Sequence, residues 1–341
     1  MTTARIRPPS QADVAALAGV STQTVSRVAN ERPNVDRETR DRVISAMRIL
    51  GYQRNSAARA LATGHFHMLG VITFDLSAHG NARTLEAISR AASAAGYSVN
   101  VASAQAQTEG AVRQAFSQLT GQAVDGIVLI EAQILDRPGL HPPPGVPVVI
   151  ADGDPEQRFA SVDNNQAAGA RAATEHLLEL GHGTVWHVAG PQDSYSARRR
   201  AMAWHATLKE AGAVVPPLRI GDWTATSGYR LGQELALRDD VTAVFAANDH
   251  MALGLLRALH EAGRSVPGDV SVVGFDDVAE AACFWPPLTT VQQDFEEVGR
   301  QCVALLLDQI ATGRSAAGTA SLVPPRLVRR SSTGPLRGAS V

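Results

Sequence analysis

Residues 12–35 read ADVAALAGVSTQTVSRVANERPNV. Ser10, just upstream, is a good N-cap for a helix from Gln11 to Ala18, along which Val14, Ala15 and Leu17 form an apolar stripe. Gly19 ends that helix, Val20 is the apolar plug of a tight turn, and Ser21 caps a second helix over Thr22–Val28. The outward positions Thr22, Gln23, Thr24, Ser26 and Arg27 all carry hydrogen-bonding side chains, while Val25 and Val28 make an apolar back. A helix that enters the major groove of DNA needs that division, because its front must read base edges and its back must hold it to a small core. Gln pairs with adenine and Arg with guanine. A third helix, Asp36 to Leu50, opens with Asp36 and Glu38 at its positive end, turns Val43, Ile44, Met47 and Leu50 inward and stops at Gly51. The three together predict a helix-turn-helix headpiece.

Charge points the same way. Residues 1–64 hold ten arginines against five acids, whereas the other residues hold 21 basic and 28 acidic side chains. A basic head on an acidic body is the footprint of a nucleic-acid module fused to something else. At 341 residues, 45% hydrophobic, the chain is long enough for two or three cores. Its two cysteines, Cys283 and Cys302, are too few for a disulfide framework and fit a reducing compartment. No run of about 20 apolar residues and no signal peptide is evident, so a cytoplasmic, nucleoid-associated location is expected.

After Gly51-Tyr52, Asn55 caps a helix of only two turns that ends before Gly64. Such a helix is marginal in isolation, because nucleation is costly and few hydrogen bonds follow, so its folding is expected to be conditional.

From Met68 onward apolar β-branched runs alternate with amphipathic helices that end in glycine. The first series is MLGVITF, SVNVASA, GIVLIEA and VPVVIAD; the second, beginning near Asn165, includes TVWHVAG, AVFAAND and SVVGFDD. This pattern implies βαβ units, parallel sheets and an α/β core of two lobes. Ligands of open α/β sheets sit at the carboxyl ends of strands. Here those ends carry Asp152, Asn248-Asp249 and Asp276-Asp277, facing one another across a cleft.

The 12–35 run resembles, residue type by residue type, the headpiece of the lactose-repressor family of bacterial transcriptional regulators. The stretches AGPQDSYSARRRAMAW (189–204), GDWTATSGY (221–229), AANDHMALG (246–254) and SVVGFDD (271–277) with PPLTTVQQDF (286–295) resemble the sugar-binding core of the family's type member more closely than the family at large. The likeness runs from about Ala12 to Arg330. It implies a periplasmic-binding-protein-like core behind the headpiece, with segments 1–53 headpiece, 54–65 hinge, 66–163 and 294–322 one lobe, 164–291 and 323–334 the other, and 335–341 a disordered tail. It also implies that Thr22, Gln23 and Arg27 read bases while Ser21, Thr24, Ser26, Asn30 and Asn34 contact or orient toward phosphate. The segment from Asn55 would fold on DNA, with Leu61 wedged into the minor groove, which unstacks a base step and bends the duplex. Asp152, Arg200, Asn248, Asp276 and Gln293 would hydrogen-bond sugar hydroxyls, with Trp223 and Phe295 against the apolar face of the ring and Phe74 on the first-lobe side. Carboxylate, amide and guanidinium groups suit vicinal hydroxyls, and aromatic rings suit C–H faces.

The chain also departs from the type member. Phe74, Asp75, Ala78, His79, Gly80, Asn81 and Thr84 stand where that protein has mostly small or aliphatic residues, and Ile130-Glu131 replace an amide and a tyrosine. A glycoside or sugar is therefore the expected effector class, galactosides among them, rather than lactose in particular. Residues 331–341 lack a tetramerising leucine heptad, so a homodimer on a palindromic operator is expected.

Three rivals remain. A corepressor-dependent regulator sensing a purine would share every feature above except the sugar contacts. A sugar-binding protein without a DNA role would need no headpiece. An enzyme would need a motif: Lys209 is the single lysine and precedes Glu210, so no Walker A exists, and H-E-x-x-H and G-x-S-x-G are missing. His65 and His67 lie in a linker without further ligands, so no metal or other cofactor is expected.

Overall fold

The computed structural model describes residues 7, 9–29, 32–52, 64–104, 108–130, 142–153 and 159–336. The chain forms two compact units, residues 1–66 and 67–341.

In the first unit, α1 (Gln11–Ala18) opens with a capping box in which Ser10 and Asp13 satisfy each other's backbone N–H groups. The Ser10 hydrogen bonds and nearby Arg7 hold the Asp13 carboxyl low, at about 2. Gly19 closes α1 at φ 64°, a left-handed conformation that glycine adopts without strain, and the turn leads into α2 (Thr22–Ala29). Asp36 caps α3 (Arg37–Leu50), and Gly51 ends it. The core is Val14, Ala15, Ala18, Val25, Val28, Val43 and Ala46, with Met47 and Leu50 at its margin. Two expected members stay outside. Leu17 and Ile44 are half-exposed, because the inward stripes run through Val14 and Ala18 on α1 and through Val43 and Ala46 on α3, at helical spacing.

The second unit contains two six-stranded sheets. In the first, β1 (Met68–Thr73), β2 (Ser98–Ser103), β3 (Gly126–Ile130), β4 (Val148–Ala151), β5 (Ala160–Asn164) and β11 (Ala320–Val323) run in the order β2-β1-β3-β4-β5-β11, all parallel. The second has β6 (Trp186–Ala189), β7 (Arg219–Ile220), β8 (Ala243–Ala246), β9 (Ser271–Asp276), β10 (Thr289–Gln292) and β12 (Arg326–Val328) in the order β7-β6-β8-β9-β10-β12, with β12 antiparallel at the edge. Central strands such as GIVLI and VVIA are buried throughout, as strands covered on both faces must be.

Period-two alternation assigns each face. In the second sheet Val188, Val244, Ala246 and Val272 meet α8 (Ala225–Ala236) and α9 (Asp249–Glu261), whereas Phe245, Val273, Phe275 and Val291 meet α6 (Gln166–Glu179) and α7 (Tyr195–Glu210). In the first, Leu69, Val71, Val128 and Ile130 pack under α4 (His79–Ala94) and α10 (Phe295–Thr312), and Ile72, Ile127 and Leu129 under α5 (Glu109–Gly121). Helix α10 lies against α4 so closely that a Cβ at Gly299 would come within 2.6 Å of the Ala87 backbone. The chain passes between sheets three times, after β5, after β10 and at Pro324-Pro325 between β11 and β12. Leu336, expected in a disordered tail, is instead held, its N–H donating to the Leu180 carbonyl at 3.1 Å. Residues 337–341 lie outside the described residues.

Candidate functional site

On the headpiece, Ser21, Thr22, Gln23, Arg27 and Asn34 are exposed, and Thr24 and Ser26 are half-buried. The α2 back, Val25 and Val28, is buried, so the polar front is presented outward as its residue types imply. Ser21 Oγ accepts from the Thr24 N–H at 3.1 Å and lies 2.9 Å from Thr24 Oγ1, which orients both hydroxyls at the start of α2. Ser21, Thr24, Arg27, Asn34 and Thr39 line one open concavity of about 440 Å³. Asn30, Asn55 and Leu61 lie outside the described residues.

In the core, a cavity of about 420 Å³ collects residues from the carboxyl ends of strands in both sheets. Strand order reverses at β1/β3 in one sheet and at β6/β8 in the other, and loops leaving such switch points are where open α/β sheets bind ligands. Seven of the eight residues singled out for the effector line this cavity: Asp152, Arg200, Trp223, Asn248, Asp276, Gln293 and Phe295. Phe74 does not. It packs with Ile72, Phe116 and Leu119 beneath α5, because it lies two residues beyond Ile72 and shares its side of β1. Asp249 and Asp277 also turn away. Asp249 accepts from Thr290 Oγ1 (2.5 Å) and the Val278 N–H (2.9 Å), and Asp277 pairs with Arg330 at 2.7 Å.

The second-sheet wall is a closed network around Arg200. Its Nε donates to Gln166 Oε1 at 2.8 Å, its Nη1 to the Ala247 carbonyl, and its Nη2 lies 3.8 Å from Asp276 Oδ1. The guanidinium sits 3.7 Å over the Phe275 ring and 5.6 Å from the Trp223 ring. Gln166 Nε2 reaches Gln293 Oε1 (3.0 Å) and Asp152 Oδ1 (3.2 Å), and Gln293 Nε2 donates to Asp276 Oδ1 at 2.7 Å. Asn248 caps α9 through Met251 N–H and donates to the Trp223 carbonyl. Burial pushes the Asp276 carboxyl up, opposed by Arg200, and pushes the Arg200 guanidinium down, opposed by Asp276 and Asp152. Three lining residues that are not glycine hold positive φ: Asp152 at 57°, Trp223 at 72° and Asp276 at 108°. Backbone strain of about 1–3 kcal/mol per residue persists only where the surroundings over-determine it, and it gathers at ligand sites.

Residue patterns had not singled out Gln166, which ties Asp152, Arg200 and Gln293 together, nor the lining residues Ser194, Ser196, Asp222, Thr224 and His250. Ser194 and Thr224 carry a legible signal, since each is the N-cap of the helix that follows a strand end. Acceptors, donors and aromatic faces thus converge on one cavity, the groups that can hydrogen-bond to hydroxyls and pack against C–H faces. Among the described residues no group of His, Cys, Asp or Glu is placed to hold a metal ion, and no helix is long and apolar enough to cross a membrane.

Residues 12–55 match the model of "Bacterial regulatory proteins, lacI family", and residues 174–333 match a periplasmic binding protein-like domain. The lactose operon repressor of Escherichia coli (strain K12) is 36% identical over 332 residues, covering 96% of this chain and 91% of that protein. The HTH-type transcriptional regulator CelR of Thermobifida fusca is 36% identical over 340 residues, covering 96% and 99%; the HTH-type transcriptional repressor PurR of Haemophilus influenzae (strain PittEE) is 31% identical over 329, covering 94% and 97%. Among solved structures, the lac repressor dimer bound to operator and the anti-inducer ONPF superposes with a TM-score of 0.83 at 35% identity, covering 96% of this chain and 100% of that one. A CelR–cellobiose complex gives 0.70 at 34% identity, covering 95% and 99%. These relatives are regulators of transcription rather than enzymes. With a helix-turn-helix headpiece, two largely parallel sheets around one cleft and this likeness over almost its whole length, the chain belongs to the lacI family of bacterial regulatory proteins.

Proposed function

We propose that this chain is a cytoplasmic repressor that binds a palindromic operator as a homodimer and leaves it when a small sugar or glycoside occupies the cleft. The observation that carries the reading is the Arg200 network with Trp223: the carboxylates of Asp152 and Asp276, the amides of Asn248 and Gln293, a guanidinium and an aromatic face converge on one cavity. The headpiece front, Thr22, Gln23 and Arg27 reading bases with Ser21, Thr24, Ser26, Asn30 and Asn34 near phosphate, supplies sequence-specific contacts, and the 54–65 hinge adds Asn55 and the Leu61 wedge. Two-fold symmetric headpieces fit palindromic half-sites, and solved lac repressor relatives are described as dimers. Exposed Leu76 and Val101 share one concavity with Leu85 and Val99, apolar surface suited to self-association. One lobe, 66–163 with 294–322, and the other, 164–291 with 323–334, close on the effector, and occupancy resets the hinge.

Relatives named PurR give the competing reading, a purine corepressor. Thermal unfolding against monosaccharides, disaccharides and purines separates the two, since a ligand that binds only the native state raises Tm. A glycoside that raises Tm, with the rise lost in Trp223→Ala and Asp276→Asn, is the expected result. A purine that raises Tm while sugars are silent would overturn the effector class and keep the family.

A further inference from the structure

We propose that Asp163, which lies behind the cleft wall rather than on it, is a positioning residue for the effector. Its carboxyl carries a proton at Oδ1 and donates it to Asp152, holding that sugar-binding carboxylate in place, while Arg199 ties the same carboxyl to the other lobe. This rests on the sugar reading above and extends it to what orients one of the sugar's acceptors.

The first sheet brings the two acids together. Strands β4 and β5 run parallel with Ala151 opposite Val162, and the Asp152 N–H continues that ladder by donating to the Val162 carbonyl at 3.0 Å. Asp152 and Asp163 are therefore neighbours at the carboxyl end of the sheet, their carboxyls within hydrogen-bonding reach. Asp152 enters the cavity from a left-handed backbone at φ 57°, whereas Asp163 is 4% exposed and off the cavity lining. Arg199, from α7 on the second sheet, donates through Nη1 to Asp163 Oδ2 and through Nη2 to the Gly153 carbonyl at 2.5 Å. One guanidinium thus grips both the neighbouring acid and the residue after Asp152. Gln166 Nε2 donates to Asp152 Oδ1 at 3.2 Å. Asp163 Oδ1 is left buried without a hydrogen-bond partner among the described residues.

Two carboxylates this close repel, and a buried acceptor left empty costs free energy as well. One proton removes both penalties, because the Asp163 O–H becomes the donor that Oδ1 lacks and Asp152 becomes its acceptor. The surroundings favour that placement. Burial, and then the Asp152 carboxyl beside it, push the Asp163 carboxyl well above the ordinary carboxylate range, against Arg199 and Gln166. The other titratable groups that face the pair are Arg200 on α7, whose guanidinium feels both acids, and Cys302 on α10, whose thiol is pushed up by burial and by Asp163 and so stays neutral. Asp152 is then held by Gln166, by the Asp163 proton and, through Gly153, by Arg199. An acceptor fixed in this way spares the ligand the cost of ordering it. The proton also leaves a signature: a carboxyl raised on folding adds stability that is fully present below its unfolded value, about 3.9, and is lost as pH rises toward its native one.

The test has two arms, both on the full chain. The first needs no ligand: from about pH 5 to 8 the denaturation midpoint of the native protein should fall more steeply than that of Asp163→Asn, whose amide accepts from Arg199 and donates to Asp152 but has no proton to lose. Parallel profiles would show that Asp163 carries no extra proton and overturn the proposal. The second arm is calorimetric titration with methyl β-galactoside, lactose, methyl β-glucoside and cellobiose. Each sugar that binds the native protein should bind Asp163→Asn within about threefold and Asp163→Leu about tenfold or more weakly, the worth of a hydrogen bond to a charged group. Binding lost in Asp163→Asn, or retained in Asp163→Leu, overturns the positioning role and leaves the sugar reading intact. Silence of all four sugars overturns the sugar reading and the positioning role with it, and the pH slope then decides the proton alone.

Discussion

The two walls of the cleft are built on different principles. On the second-sheet wall the polar side chains around Arg200 are tied to one another through Gln166, Gln293 and Asn248, and Trp223 and Asp276 sit in left-handed backbone. On the first-sheet wall His79 makes ring contacts with Phe295 and, across the cleft, with His250 of α9, and among the described residues Asn81 is held by the hydrogen bond it donates to the Asp75 carbonyl. A locked wall costs strain and gives a ligand pre-organised partners; a loosely held wall can differ between relatives without unfolding the lobe. The difference teaches where specificity is free to change.

The comparison breaks most visibly at Arg200. Replacing it in Arg200→Met leaves Asp276 and Asp152 facing one another without their buried cation, and removing one partner of such a set costs about 3–5 kcal/mol. Chemical denaturation should show that loss, with glycoside binding abolished. Next in size is glycine. A Cβ at Gly190 would lie 2.4 Å from the Trp223 ring, so Gly190→Ala should displace the ring, cost about 1–3 kcal/mol and weaken effector binding, followed by tryptophan fluorescence and calorimetry. The matching change on the other wall, Gly80→Ala, places its methyl at ordinary contact distance and should stay within about 0.5 kcal/mol of the native protein. Equal costs at the two glycines would erase the distinction.

The smallest effect is a pH slope. Burial, and Asp276 beside it, push the Asp249 carboxyl up to about 8, against hydrogen bonds from Thr290 and Val278, so the group is protonated in the native state at neutral pH. A carboxyl raised on folding adds stability that is fully present below its unfolded value, about 3.9, and is lost as pH rises toward 8. Asp249→Asn should remove that part of the slope, read as the difference between the two proteins' denaturation midpoints from pH 4 to 8. Parallel profiles would show that Asp249 ionises normally.

The headpiece was legible because its signals are local: a cap, a left-handed glycine and a 3.6-residue stripe all fall within a few turns. Even there Leu17 and Ile44 lie outside the core, since one apolar residue beside a stripe cannot be told from a member of it without the partner helices. The α/β architecture was legible where strands are continuous apolar runs. Strands β5, β7, β10, β11 and β12 were not, because ASVDN, RI, TTVQ, ASLV and RLV are short or polar and owe their pairing to neighbours far along the chain. Within the cleft, residues at strand ends were found by position and chemistry, whereas Gln166 emerges only when four segments meet. Phe74 could have been excluded by counting two residues from Ile72.

The central claim is that occupancy of the cleft and operator binding are linked. The direct test is fluorescence anisotropy of a labelled operator titrated with the full chain, in the absence and presence of a glycoside that raises its Tm. Linkage requires that the glycoside weaken operator binding by the same factor by which operator weakens glycoside binding. An operator Kd raised by the glycoside, and a glycoside Kd raised by the same factor when operator is bound, is the predicted result; operator affinity unchanged by every ligand that demonstrably fills the cleft would contradict it.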